Sequence, residues 1–376
     1  MIRKFLLLSC LIAANVCMAQ KDILFTIKEL PAFHPKGSNI YLAGSFNGWN
    51  PADDNYKFSR NNDGQYILKL SLTGNNYEYK ITRGSWDKVE TTKEGGAIAN
   101  RNLQVRESTT VELNVAEWAD RFPTVKPKST ASKNVAVLDT AFLIPQLKRT
   151  RRIMVYLPEN YNADPKKRYP VLYMHDGQNL FDDATSFSGE WGVDEFLDTQ
   201  KDKACIVVAI DHGNDKRLTE YNPYNNERFG QGEGKAYVNF LAKTLKPFID
   251  KKFRTNKSRE KTFVAGSSMG GLISLYTVMA YPKVFSAAGV FSPAFHVAGS
   301  ELLTDIEKAE IAQDIRLFVY AGKQESDNLI KEVTSVTDKL RTHNNIRIST
   351  VIADYGKHTE ADWKKAFPEF YYWLVR

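Results

Sequence analysis

Gly266-Ser267-Ser268-Met269-Gly270 lies between two apolar runs, Thr262-Phe263-Val264-Ala265 before it and Leu272-Ile273-Ser274-Leu275-Tyr276 after it. A chain that leaves a buried strand through a short small-residue turn and enters a helix directly is restricted to layouts in which strands and helices alternate. Small residues at 266 and 270 let the backbone close tightly, so the spacing predicts a nucleophile elbow with Ser268 exposed at the top of a sheet in a strained conformation. A serine hydroxyl attacks poorly unless a histidine takes its proton and a carboxylate holds that histidine. Ser268 as nucleophile therefore requires two partners elsewhere in the chain.

In a strand-turn-helix hydrolase those partners follow the serine in the order acid, then histidine. Of the six histidines, only His296, His343 and His358 come after Ser268. His358 follows the strand-like run Arg347-Ile348-Ser349-Thr350-Val351-Ile352 and precedes an aromatic-rich terminal helix, a position suited to a base on a loop. His343 sits at the polar end of a helix, and His296 is a residue that could line a pocket. For the acid, Ile315-Arg316-Leu317-Phe318-Val319-Tyr320-Ala321 reads as a buried strand, with Gly322-Lys323-Gln324-Glu325-Ser326-Asp327 as the loop at its carboxyl end. Glu325 is the first choice, three residues after the glycine that ends the strand; Asp327 is the alternative and could equally cap the next helix. The oxyanion hole is expected from the amides of Met269, directly after the serine, and Gln178, in the turn after Tyr169-Pro170-Val171-Leu172-Tyr173-Met174. His175 and Asp176 in that turn precede the serine, which suits a turn-stabilising role.

From residue 134 onward strands are expected near 151–157, 170–175, 204–210, 262–267, 285–291, 315–321 and 346–352, with helices between them. Tyr237, Phe240, Leu241, Leu245, Phe248 and Ile249 mark one helix face that should lie on the sheet. The loop from Phe181 to Trp191 and the run Asn222-Pro223-Tyr224 are expected to shape the pocket.

Three segments of this region, Tyr173-Met174-His175-Asp176-Gly177-Gln178-Asn179-Leu180-Phe181, Gly266-Ser267-Ser268-Met269-Gly270-Gly271 and Gly356-Lys357-His358, resemble the esterase D and feruloyl esterase type of α/β-hydrolase, including enterochelin-type esterases. The resemblance runs from about Asn134 to Arg376. It implies an α/β/α sandwich around a mostly parallel sheet, a triad of Ser268, Glu325 and His358, and ester hydrolysis without a cofactor. Many members carry Asp at the acid position where this chain has Glu325.

The first residues have another purpose. Arg3 and Lys4 precede the apolar run Phe5 to Ala14, and Ala19 is a small residue before a cleavage point at Gln20, so residues 1–19 read as a secretory signal. The run falls short of the roughly 20 residues of a transmembrane helix. Export to a periplasmic or extracellular space follows as the expectation. Removal of that segment takes Cys10 and Cys17 and leaves Cys205 alone, which excludes an intramolecular disulfide. Cys205 begins an apolar strand and is expected to be packed, and neither the cysteines nor the histidines have the spacing of a metal site, so no metal is expected. The formal charge of +7 falls to +5 without Arg3 and Lys4 and is scattered along the chain, which argues against nucleic acid as a partner.

Residues 20–118 differ in kind. Ile23–Ile27, Asn39–Gly44, Gln65–Leu70 and Tyr77–Thr82 are short strands separated by Gly, Asn and Pro turns, the pattern of an all-β, immunoglobulin-like sandwich. Residues 119–133, rich in Pro, Lys and Ser, read as a linker to a hydrolase domain over 134–376. Gly44-Ser45-Phe46-Asn47-Gly48-Trp49-Asn50-Pro51, with Thr82-Arg83-Gly84-Ser85-Trp86-Asp87-Lys88-Val89-Glu90 and Asn100-Arg101, resembles starch- and glycogen-recognition modules. That likeness implies α-glucan binding, in which an indole desolvates the C–H face of a sugar; Trp86 is the better candidate platform and Trp49 the second, with core packing as the alternative for each. The combined expectation is an exported serine esterase acting on acetyl or feruloyl esters of carbohydrates. The alternatives are a siderophore trilactone esterase of the enterochelin type and a glycan-binding protein with an inactive hydrolase domain.

Overall fold

The computed structural model describes residues 20–73, 76–122, 128–226 and 229–376, so the expected signal segment and the centre of the expected linker, 123–127, lie outside the described residues. The chain divides into two compact units, Met1–Val125 and Lys126–Arg376.

The first unit is built from strands β1 (Lys21–Glu29), β2 (Tyr41–Gly44), β3 (Ser59–Arg60), β4 (Tyr66–Leu72), β5 (Asn76–Thr82), β6 (Glu90–Thr91), β7 (Arg101–Gln104), β8 (Thr109–Asn114) and β9 (Glu117–Trp118). They form a four-stranded sheet in the order β3-β4-β1-β8, a three-stranded sheet in the order β2-β5-β7, and the pair β6-β9. The alternation expected of a half-buried strand is plain in β4, where Tyr66, Leu68, Leu70 and Leu72 face the core and Lys69 and Ser71 face out. They pack with Phe25, Leu42, Ile81, Leu113 and Trp118. Trp118, 1 % exposed, is the core tryptophan; Trp49 and Trp86 are only half-buried.

The second unit carries strands β10 (Val135–Ile144), β11 (Arg149–Tyr156), β12 (Val171–His175), β13 (Ile206–Ile210), β14 (Thr262–Ser267), β15 (Ala287–Phe291), β16 (Ile315–Gly322) and β17 (Ile346–Ala353). Its helices are α1 (Val193–Asp198), α2 (Arg217–Glu220), α3 (Gly234–Phe240), α4 (Lys246–Lys252), α5 (Met269–Ala280), α6 (Phe295–Lys308), α7 (Asp327–Leu340) and α8 (Glu360–Leu374). The sheet order is β10-β11-β13-β12-β14-β15-β16-β17, and every neighbouring pair from β13 onward is parallel. This is an α/β-hydrolase arrangement: β12 sends Val171 and Tyr173 to a core shared with α3, α5, α6 and α7, and Leu172 and Met174 to a core shared with α1 and α8. A sheet covered on both faces explains why its strands read as unbroken apolar runs.

Two local departures have physical causes. Strand β10 escaped the sequence reading because it is an edge strand with much of its length exposed, so it lacks the apolar run that marks its neighbours. Between α3 and α4 the turn Leu241–Leu245 is a π-helix, which adds a residue to the turn and shifts the phase of the stripe. Tyr237, Leu241, Leu245 and Ile249 remain buried at four-residue spacing, while Phe248, expected on the sheet, is 36 % exposed and meets Phe142 of β10 edge-on at 5.0 Å.

Candidate active site

Ser268 sits between β14 and α5 at φ 58°, ψ −120°, a conformation that L residues avoid and that costs about 1–3 kcal/mol unless its surroundings impose it. They do. The Ser268 amide donates to the Phe291 carbonyl at 2.9 Å, and the Ser268 carbonyl accepts from Gly271, Leu272 and Ala294. A Cβ on Gly266 would stand 2.9 Å from the Gly270 carbonyl carbon, so the turn closes only without a side chain there, and one on Gly270 would stand a tight 3.2 Å from Asp176 Oδ2. Met269 opens α5, and its amide is among the helix-start donors that lack an intrahelical acceptor.

The loops after β16 and β17 meet beside one another. A Cβ on Gly322 would lie 2.1 Å from the Gly356 carbonyl oxygen, so this crossing too depends on the absence of a side chain. The Gln324 amide donates to Gly356 and the Lys323 amide to Ala353, which locks the two loops together. The result is a short contact between Glu325 Oε2 and His358 Nδ1, 2.7 Å. The Glu325 side chain is 3 % exposed, whereas that of His358 is 46 % exposed. A carboxylate only accepts, so Nδ1 is the donor in this pair and Nε2 is the ring nitrogen left free of the carboxylate. Ser326 caps α7 by accepting from the Leu329 amide; the side chain of Asp327, the alternative acid, lies outside the described residues.

The carboxylate is itself held. Glu325 Oε1 accepts from the Gly322 amide and from Ser292 Oγ, each at 2.7 Å. Ser292, fully buried at φ 41°, in turn accepts from Trp363 Nε1 at 2.9 Å. Trp363 also meets the His358 ring edge-on, with centroids 5.0 Å apart. The terminal helix docks through Trp363, Phe367, Phe370 and Tyr371, all buried. Sequence reasoning missed Ser292 and Trp363. Their signals were a serine directly after a buried strand and an indole five residues past the histidine, neither of which means anything until β15, β16 and α8 are adjacent.

On the other side of the elbow, His175 is 1 % exposed and its Nδ1 contacts Tyr237 Oη at 3.0 Å. Burial pushes its imidazole down to about 4, with Arg217 adding to the effect and Asp176 opposing it. Asp176, at φ 55°, receives both arms of Arg217 at 2.7 and 2.8 Å. Burial acts to raise its carboxyl, but Arg217 outweighs burial and holds it below the usual carboxylate range. Gln178 lies in the short helical turn Gly177–Asn179, where its Oε1 accepts from the His212 amide at 3.3 Å. Next to it Asn179 Nδ2 donates to Glu360 Oε1 at 3.2 Å, and burial raises the Glu360 carboxyl.

Other expected pocket residues serve the scaffold. Trp191 is 3 % exposed and packs on Phe291 and Trp363, and Asn222 is 1 % exposed and accepts from the Tyr224 amide. His296 projects from α6 with 65 % of its side chain exposed and pairs with Glu332. Cys205 is fully buried, and burial pushes its thiol up to about 12. In the first unit, Trp49 and Trp86 lie with ring centroids 6.3 Å apart and planes 40° apart. Among the described residues no helix is long and apolar enough to cross a membrane.

Comparison with known proteins agrees with this architecture. A 95-residue stretch, 25 % of this chain and 7 % of the relative, is 44 % identical to an alpha-amylase of Niallia circulans. A second stretch of 144 residues, 37 % of this chain and 19 % of the relative, is 31 % identical to an endo-1,4-beta-xylanase/feruloyl esterase of Xylanibacter ruminicola. The chain thus spans a small part of the length of either protein. Among solved structures, an enterobactin esterase of Shigella flexneri superposes with TM-score 0.53 at 14 % identity, covering 89 % of this chain and 88 % of that one. The family model named Esterase matches residues 144–374, most of the second unit, and the chain belongs to that family of α/β-hydrolases.

Proposed function

We propose that the protein is an exported serine esterase that hydrolyses acetyl or feruloyl type esters of carbohydrates through an acyl-enzyme, with Ser268, Glu325 and His358 as its triad. The observation that carries this reading is the 2.7 Å pair of Glu325 and His358 on the loops after β16 and β17, in the same sheet whose strand β14 delivers Ser268 in its strained turn. His358 Nε2 takes the proton from Ser268 Oγ as the Oγ–carbon bond forms, and the amides of Met269 and Gln178 hold the negative charge that develops on the carbonyl oxygen. The proton then passes to the departing alcohol oxygen. Water repeats the sequence on the acyl group, giving up its proton to His358, and the acid leaves with Ser268 restored.

The carbohydrate part of the reading draws on the first unit. The alpha-amylase match and the half-buried pair Trp49 and Trp86 support an α-glucan platform that holds the enzyme near its polymer. Residues 1–19 supply the export signal, and residues 20–118, 119–133 and 134–376 are the sandwich, linker and esterase regions of the proposal. The part of the linker from Ser129 to Ser132 is tied to the second unit through Asp182, Glu190 and Asp194.

The siderophore alternative draws on one observation, that the likeness to the enterobactin esterase extends over 89 % of the chain. The test is ester release by the full chain and its Ser268→Ala variant from acetylated xylan, a feruloylated oligosaccharide and a catecholate trilactone. Serine-dependent release from a sugar ester supports the proposal. Release from the trilactone alone transfers the assignment to siderophore hydrolysis, and no release, with no fluorophosphonate labelling of Ser268, leaves a glycan-binding protein. Separately, retardation of the full chain in a starch gel should be lost in Trp86→Ala; unaltered migration of the unsubstituted chain removes α-glucan binding.

A further inference from the structure

Away from the triad, one group of side chains carries more negative charge than its neighbours offset. Glu190, Asp194 and Glu195 each bring a carboxylate oxygen within 4.8 Å of the other two. Glu190 accepts from Thr130 Oγ1 at 3.0 Å and lies 3.4 Å from Lys364 Nζ, while Asp194 Oδ2 accepts from the Ser132 amide at 2.7 Å. Asp194 has no exposed surface, yet its Oδ1 has no hydrogen-bond donor. A buried carboxylate oxygen without a donor is costly, and three carboxylates against one ammonium group retain a negative excess. Charge of this kind is relieved by a shared proton or by a cation.

We propose that Glu190, Asp194 and Glu195 form a calcium site that ties the segment Thr130–Ser132 to the loop before α1 and to α1 itself. The donors are oxygens and mostly anionic, which selects a hard cation over zinc or copper. Oxygens at this spacing can share one ion at the Ca–O distance of about 2.3–2.6 Å, whereas magnesium demands a tighter octahedron. Asp194 supplies the buried ligand, and Glu195, exposed at the rim, gives the ion a path from solvent. Thr130 Oγ1, already on Glu190, and water can complete the shell. The site is separate from the ester chemistry: its role is to hold down the segment and loop through which the chain enters the second unit, and Lys364 links it to α8.

The test uses the full chain stripped with EDTA, titrated with calcium by calorimetry and followed by thermal unfolding, with magnesium as control. One ion per chain should bind, and calcium at about a hundredfold above Kd should raise Tm by at least about 5 °C. Asp194→Asn should remove both responses. Where that variant fails to fold, Glu195→Gln at the exposed rim should weaken binding at least about tenfold. The absence of heat and of a Tm shift at millimolar calcium overturns the proposal, and so does calcium binding that is undiminished in these variants. Stability that instead rises as pH falls from 8 to 6, with no response to calcium, would assign the cluster to a shared proton and also overturn it.

Discussion

Two of the histidine–carboxylate pairs in the second unit, His175 with Asp176 and His358 with Glu325, differ in every property that matters for proton transfer. His175 and Asp176 are neighbours in sequence, but the left-handed backbone at Asp176 turns the carboxylate to Arg217 and leaves the imidazole against Tyr237. His358 and Glu325 are thirty-three residues apart, yet they meet at 2.7 Å, with the carboxylate buried and the imidazole exposed. Burial withholds the first imidazole from solvent, whereas the second remains open to it. Adjacency in sequence is therefore a poor guide to function here. What distinguishes a base from a brace is which atom the carboxylate faces and whether the opposite ring nitrogen can reach a reacting group.

The sharpest test of this contrast is to remove each imidazole. His358→Ala should lower kcat by about 10⁴-fold or more with a small change in KM, measured on a soluble aryl acetate, because the proton acceptor is gone. Retention of activity within tenfold would break the assignment. Glu325→Gln should come next, at about 10³–10⁴-fold in kcat, since the amide can donate to Nδ1 and so favours the wrong tautomer. Glu325→Asp, by contrast, keeps the charge and should recover part of that loss.

The strained turn at Ser268 and the seven strands after residue 150 were legible because each rests on local pattern: a small-residue turn and apolar runs. Glu325 could be ranked above Asp327 only by its distance from Gly322; the contact with His358 comes from the crossing of Gly322 and Gly356, a relation between two loops that no single segment encodes. The same holds for Ser292 and Trp363. The phase of the stripe from Tyr237 to Ile249 was misjudged at Phe248 because periodicity assumes an unbroken α-helix and the chain inserts a π-turn. In the first unit, β7 and β8 went unread because Arg101-Asn102-Leu103-Gln104 and Thr109–Asn114 bury few apolar residues of their own. The approach of Glu190, Asp194 and Glu195 to one another depends on the path of the chain into α1, which cysteine and histidine spacing does not report.

Ser292→Ala sharpens the contrast at smaller scale. It deletes the donor to Glu325 Oε1 and the acceptor of Trp363 Nε1 while leaving the Gly322 amide in place. A hydrogen bond to a charged group is worth about 1.5–3 kcal/mol, so kcat should fall about ten- to a hundredfold, and the acid limb of the pH–rate profile should move. Ser292→Thr, which keeps the hydroxyl, should restore the position of that limb. A loss of stability with kcat and pH profile unchanged would reduce Ser292 to a packing residue.

The smallest effect on turnover is expected at the other histidine, and it is informative because stability should respond where activity does not. His175→Phe should leave kcat within about threefold, since the imidazole lies below the turn and faces Tyr237. In the folded protein His175 titrates at about 4 against 6.5 when unfolded, so the unfolded chain binds the extra proton between those values. Stability contributed by keeping this ring neutral is therefore complete above pH 6.5 and is lost as pH falls toward 4, an effect of a few kcal/mol at most. Phe cannot be protonated, so the variant should lose less stability than the unsubstituted chain over that window, measured by denaturant unfolding at pH 7 and pH 4.5. At pH 7 it should be less stable by about 1–3 kcal/mol, because the hydrogen bond between Tyr237 Oη and the imidazole is lost. If instead the variant keeps its pH dependence but loses turnover, the buried histidine takes part in the chemistry and the distinction between the two pairs fails.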